Sequence, residues 1–199
     1  MPSTDRISRK RKRTTDHIAA VASALFERHG YQAVTMEQIA TEADVARGTL
    51  YNHFPVKDAV LAHGIHAQLA RDLEPLMQEV LSRGSFVSRL ATLLEASARW
   101  WEEHRQYAVP YLRYRFQEVR DGRPGDPPSS GMIAVYTRLI AEAQGVKEVR
   151  ADAPPDRLAH YLHFLYLGAV MAWLGDDEAA LSDELAKVLE FFMEGAAAR

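Results

Sequence analysis

Within seven residues the chain places Arg47, Gly48, Thr49, Tyr51, Asn52 and His53 around a single buried-type residue, Leu50. These types suit one kind of chemistry. A guanidinium forks onto a guanine edge or a phosphate, and a carboxamide matches adenine. Threonine, tyrosine and histidine tips hydrogen-bond phosphate oxygens, which position a reader without specifying sequence. A glycine lets the backbone approach closely. Leu50 and Phe54 are spaced i, i+4, so on a helix they share the inward face and the polar set looks outward. Catalytic chemistry has no comparable cluster: there is no cysteine, nucleophile elbow, phosphate loop or carboxylate pair, and no cofactor is called for.

Short helices must hold these residues. Between Thr14 and His29 the residues Ile18, Val21, Ala22, Leu25 and Phe26 recur at helical intervals, and Gly30 follows as a left-handed cap. Thr35 with Gln38 three places on predicts a capping box for a second helix ending near Ala43. Asp44 occupies the turn, where aspartate tolerates the left-handed region. A third helix, Arg47 to about His53, must stop before Pro55. A long helix starts near Val56 or Lys57, with Pro75 expected to kink or divide it. Val56 supplies no side-chain cap for that helix.

From Phe26 the sequence reads FERHGYQAVTMEQIATEADVARGTLYNHFPVKDAVL. It resembles the TetR family of transcriptional regulators at Phe26, Gly30, Tyr31, Thr35, Ile39, Ala40, Val45, Gly48, Thr49, Leu50, Tyr51, His53 and Phe54. The resemblance covers about a quarter of the chain. It implies an all-α protein with a helix-turn-helix DNA-binding domain over 14–55 and a ligand-binding and dimerisation domain over 56–199, to which the charge pattern adds a basic arm over 1–13. It further implies Arg47 and Gly48 as base readers, Tyr51 as a phosphate clamp, and Lys57, Thr35 and Met36 as backbone contacts. The partners expected are operator DNA, a second copy of the chain and a small, largely apolar or aromatic effector that releases a repressor. A regulator without an effector, or one answering a metal, would share the same reader.

Later segments predict helices at Ser85–Glu103, Arg105–Val119, Met132–Gln144, Asp156–Leu174 and Glu178–Glu194, about nine in all, with an exposed Pro- and Gly-rich loop between Val119 and Met132. On the Arg105–Val119 helix, Ala108, Leu112, Phe116 and Val119 mark one face. Tyr107, Tyr111 and Tyr114 mark another that can line an effector cavity. Trp101 on the preceding helix, and His160, His163, Phe164 and Leu167 on the Asp156–Leu174 helix, are further candidates for that cavity. The near-continuous apolar character of this helix, repeated by Leu181, Leu185, Val188, Leu189 and Phe192, also fits a subunit interface. His63/His66 and His160/His163 share helix faces at i, i+3, yet neither pair has a third metal ligand at compelling spacing.

Net charge is −3, so the bulk of the chain is no polycation, but Arg6, Arg9, Lys10, Arg11, Lys12 and Arg13 fall together without an acid. Such an arm is attracted to a polyanion and is expected to track a groove or phosphates. The amino-terminal residues lack a secretory apolar run, and Leu158–Leu174 falls short of a membrane span, which places the protein in the cytoplasm.

Overall fold

A computed structural model describes residues 3–121 and 131–197. Among the described residues there are nine α-helices: α1 (Ser3–His29), α2 (Met36–Glu42), α3 (Arg47–His53), α4 (Lys57–Ser82), α5 (Phe86–Glu103), α6 (Arg105–Asp121), α7 (Met132–Gly145), α8 (Pro155–Leu174) and α9 (Leu181–Ala196). The expected loop before Met132 falls largely on residues 122–130, outside the described residues. Among the described residues no helix is long and apolar enough to cross a membrane.

Local signals set the helix ends. Gly30 has φ 79° and its amide donates to Phe26 O at 2.9 Å, closing α1. Thr35 Oγ1 accepts from Gln38 N at 3.2 Å while Thr35 N donates to Gln38 Oε1 at 2.8 Å, so both ends of the capping box are made. Asp44 carries the turn at φ 49°. Phe54, extended at φ −137°, ends α3 ahead of Pro55.

Two helices run longer than their sequence signals indicated. α1 begins at Ser3, not Thr14. No proline or glycine interrupts residues 3–13, arginine and lysine are good helix formers, and Lys12 pairs with Asp16 one turn on at 2.6 Å. A helix nucleated by its packed half therefore propagates outward at little cost. α4 continues through Pro75 instead of dividing there.

The chain forms two compact units, Met1–Leu69 with Val109–Gly122, and Ala70–Ala108 with Arg123–Arg199. The first is built on Ile18, Ala22, Phe26, Ile39, Leu50 and Val60, all at most 1% exposed. Burying Leu50 and Phe54 contributes about 1.5–3 kcal/mol each and holds α3 in place. In the second unit α5, α7, α8 and α9 pack around Leu90, Leu93, Tyr136, Ile140, Leu162 and Leu185.

On α6 the expected faces are redrawn. Tyr107, Ala108, Tyr111, Leu112 and Arg115 are buried, whereas Phe116 is exposed. Steps of four residues drift by about 40° each on an α-helix, so a stripe through 108 and 112 has rotated outward by 116, and the i+7 position, Arg115, takes its place. The tyrosines consequently adjoin the apolar face instead of forming a separate one. The side chain of Val119 is outside the described residues.

Candidate nucleic-acid interface

α3 turns Leu50 into the core of its unit and leaves Arg47, Gly48, Tyr51 and Asn52 exposed, with Thr49 half-buried. Arg47 Nη2 lies 2.8 Å from Glu37 Oε1 on α2, and its guanidinium sits 5.6 Å from the Tyr51 ring centroid. A Cβ on Gly48 would meet nothing within 4 Å, so the glycine leaves open space at the surface. Thr35 is exposed at the start of α2. These groups form one outward surface of cation, carboxylate, phenol, amide and bare backbone, which can hydrogen-bond base edges and phosphates.

Three of the anticipated DNA contacts are directed inward. Met36 is buried, because the position after the cap faces α1 and the core. His53 Nδ1 lies 2.8 Å from Thr15 Oγ1. The threonine proton goes to Arg11 O at 2.9 Å, so the imidazole Nδ1–H is the donor to the hydroxyl oxygen. Burial, assisted by Arg11, lowers the pKa of His53 below the ordinary histidine value. Lys57 departs most. Its ammonium donates to Tyr31 O and Val34 O, both at 2.7 Å, reaches Gln32 O at 3.4 Å, and lies 4.3 Å from the Tyr31 ring centroid. The carbonyls following Gly30 have left helix α1, and Lys57 collects them with all three of its donors. Replacing Lys57 with methionine is therefore expected to cost about 1.5–3 kcal/mol of stability in denaturant melts. The salt dependence of duplex binding should stay as in wild type, whereas a lost phosphate contact would reduce its slope by about 0.9.

Sequence reading missed Glu37, Thr15 and His17. His17 Nε2 donates to Ala43 O at 3.2 Å and pins the turn between α2 and α3 against α1. It also missed Asp58, which accepts from Arg113 Nε at 2.6 Å, from Arg113 Nη2 at 3.0 Å, and from the Tyr31 hydroxyl. That carboxylate joins the start of α4 to α6 and to the end of α1.

The anticipated effector residues separate into groups. In the second unit Trp101 Nε1 donates to Tyr166 Oη at 2.6 Å, and Ser97 Oγ lies 2.7 Å from the same oxygen. His163 stacks on the Tyr166 ring with centroids 6.1 Å apart, and Leu167 is buried on the same helix. Tyr107 is buried and stacks on His104 at 5.8 Å. In the first unit Tyr111 Oη meets His66 Nε2 at 3.1 Å, and Tyr114 is half-buried. His160 and Phe164 do not join His163 in the interior: both are exposed, Phe164 at 54%. On α8 the buried arc ends at Leu167, and His160 lies about 20° beyond that edge, about 60° round from His163. Phe164, Tyr161 and Met171 share the outward arc. His63 is taken by Asp16 at 3.0 Å, and among the described residues no three His, Asp or Glu side chains are grouped to hold a metal ion.

Comparison with known proteins follows this geometry. Residues 18–63 match the family described as bacterial regulatory proteins, tetR family. The chain is 42% identical over 166 residues to the HTH-type transcriptional repressor KstR of Mycobacterium tuberculosis, covering 83% of this chain and 71% of that one. It is 28% identical over 185 residues to the putative mycofactocin biosynthesis transcriptional regulator MftR of the same organism, covering 93% and 92% of the two chains. Its fold is similar to the TetR-family repressor FadR of Thermus thermophilus, crystallised with lauroyl-CoA, at a TM-score of 0.76 and 24% identity over 93% of this chain and 96% of that one.

Proposed function

Since the chain belongs to the TetR family of transcriptional regulators, we propose that it is a dimeric repressor released from a (pseudo)palindromic operator by a small, largely apolar effector. Residues 14–55 act as the DNA-binding domain and 56–199 as the sensing and dimerisation domain, in the cytoplasm. The observation that carries this proposal is α3: a helix anchored by Leu50, with Arg47, Gly48, Tyr51 and Asn52 all facing outward. Arg47 and Asn52 read base edges, and Tyr51, Thr49 and Thr35 hold phosphates.

Dimerisation is supported by the outward arc of α8, where Tyr161, Phe164 and Met171 stand exposed beside Gly168 and Ala172. An apolar stripe on a helix already packed on its other side calls for a partner surface, and α9 adds exposed Phe191. A two-fold pair can then meet half-sites about one helical turn, 34–36 Å, apart or a multiple of that. Effector sensing is supported by the buried Ser97–Tyr166–Trp101 network, an internal set of polar tips in apolar walls. The lauroyl-CoA in the complex of the structurally similar FadR carries an apolar acyl chain of that kind. Release needs an effector that binds the released conformation better than the DNA-bound one. The Arg113–Asp58 link gives α6 a direct hold on the first turn of α4.

The test is selection of duplexes from a random library, followed by titration of Arg47→Ala against the winner and against random competitor. Arg47 is exposed, so the variant should melt like wild type while losing about 1–3 kcal/mol of discrimination, roughly 5- to 150-fold, at one base pair of each half-site. Equal weakening on every duplex would assign Arg47 to phosphate alone. A wild-type protein without preference for any duplex at low salt would end the proposal.

A further inference from the structure

The cations ahead of Thr14 are not equivalent. Because α1 is helical from Ser3, Arg6, Arg9, Lys10 and Arg13 fall at i, i+3, i+4 and i+7 and share one face. They line an open groove whose opposite wall is the turn between α2 and α3, residues Ala43, Asp44 and Val45. Arg11 and Lys12 are not among the residues that line it, and Lys12 is paired with Asp16. The extension is also braced where it leaves the reader, by Thr15 on His53 at 2.8 Å and by His17 on Ala43 O at 3.2 Å.

We propose that this groove seats a sugar-phosphate strand of the DNA flanking the operator, so that each protomer grips the duplex backbone beyond the reach of α3. The proposal rests on the DNA-binding function above and adds a second contact surface to it. Four cations spread over about 10.5 Å of helix axis suit a continuous polyanion and exceed what a single bound anion needs. Double-stranded DNA presents a charge every 3.4 Å along each strand. Residues 3–14 span about 18 Å, or some five base pairs of rise. Asp16, in the same groove, is already engaged by Lys12 and His63, which leaves Asp44 as the acid opposing the strand. The groove abuts the turn and no residue of α3 lines it, so its contact is with backbone and carries no base recognition.

The experiment compares two duplexes bearing the selected operator, one trimmed to the half-sites and one extended by six base pairs at each end, in salt titrations. Wild type is expected to bind the extended duplex at least tenfold more tightly near 0.1 M salt. Its log–log salt slope should be steeper by about 0.9 for each phosphate gained, up to roughly 3.6 per protomer. R6Q/R9Q/K10Q/R13Q should bind both duplexes alike, with the shallower slope. Glutamine keeps the helix propensity of the residues it replaces, and circular dichroism checks that the fold persists. R11Q removes a charge that does not line the groove and should retain the flank advantage. The proposal is overturned if wild type gains nothing from the flanks, if the quadruple variant keeps the gain, or if R11Q loses it equally. Operator binding that persists in any of those cases leaves the α3 function standing, whereas absence of all duplex binding removes both.

Discussion

Replacing Asp58 with alanine is expected to lower stability by about 2–3 kcal/mol, the range for hydrogen bonds to a charged group whose partners are left without an acceptor. Asp58 is 8% exposed and accepts from both Arg113 Nε and Nη2 and from the Tyr31 hydroxyl. The Arg113 side chain is more than half exposed and recovers water when released, which keeps the cost below the roughly 3–5 kcal/mol of a fully buried pair. The pH dependence has a definite sign. Burial raises the pKa of the Asp58 carboxyl, but the hydrogen bonds from Arg113 and Tyr31 outweigh it and hold the group below the usual carboxylate range. A depressed carboxyl stabilises the fold above its unfolded pKa of about 3.9, and that contribution fades as pH falls through the folded value. Urea melts of wild type and Asp58→Asn should therefore differ near neutrality and converge below about pH 4. A constant gap across that range would mean that the carboxylate charge contributes nothing. Arg113→Gln breaks the same link from α6, and in the proposed mechanism it should blunt effector release of DNA more than DNA binding itself.

The reader was legible because its determinants are local. Gly30, the Thr35–Gln38 box, Asp44 and the Pro55 stop act within a few residues, and Leu50 with Phe54 follows from helical spacing alone. The uses of polar residues were less legible. Lys57, His53 and Met36 look like surface groups in a one-dimensional reading. Their partners lie 23 to 38 residues away in the case of Lys57 and His53, and only the crossing of α1, α3 and α4 brings them together. The same holds for Glu37 with Arg47 and for Ser97 and Trp101 with Tyr166. His160 and Phe164 were misplaced because α8 is apolar nearly all round, so composition could not show which arc its own subunit covers. The start of the extended α1 carries no stop signal in the sequence, and the charge of the basic run suggests an arm although nothing in it opposes a helix.

Mild acid should weaken the first unit through His66. Its Nε2 lies 3.1 Å from Tyr111 Oη, and the two rings meet edge to face at 5.7 Å. Burial, then the nearby charges of Arg115 and His63, pushes its pKa down to about 4. The unfolded histidine titrates near 6.5, so the neutral ring stabilises the fold above that pH, and the contribution is lost progressively as pH falls from about 6.5 to about 4. At 1.36 kcal/mol per pH unit the full loss approaches about 3 kcal/mol, with some 2 kcal/mol gone by pH 5. His53 is depressed in the same direction, and the hydrogen bond from Lys12 holds Asp16 below the usual carboxylate range, so the wild-type curve alone does not isolate the effect. The informative quantity is the difference between wild type and His66→Gln, which keeps a hydrogen-bonding group beside Tyr111 but cannot take up the proton. In thermal melts from pH 7.5 to 4.5 the variant should begin less stable or equal and then overtake wild type as the pH drops. An imidazole resonance of His66 titrating near 6.5 in the folded protein, or parallel melting curves for the two proteins, would show that the ring is not held neutral by its surroundings.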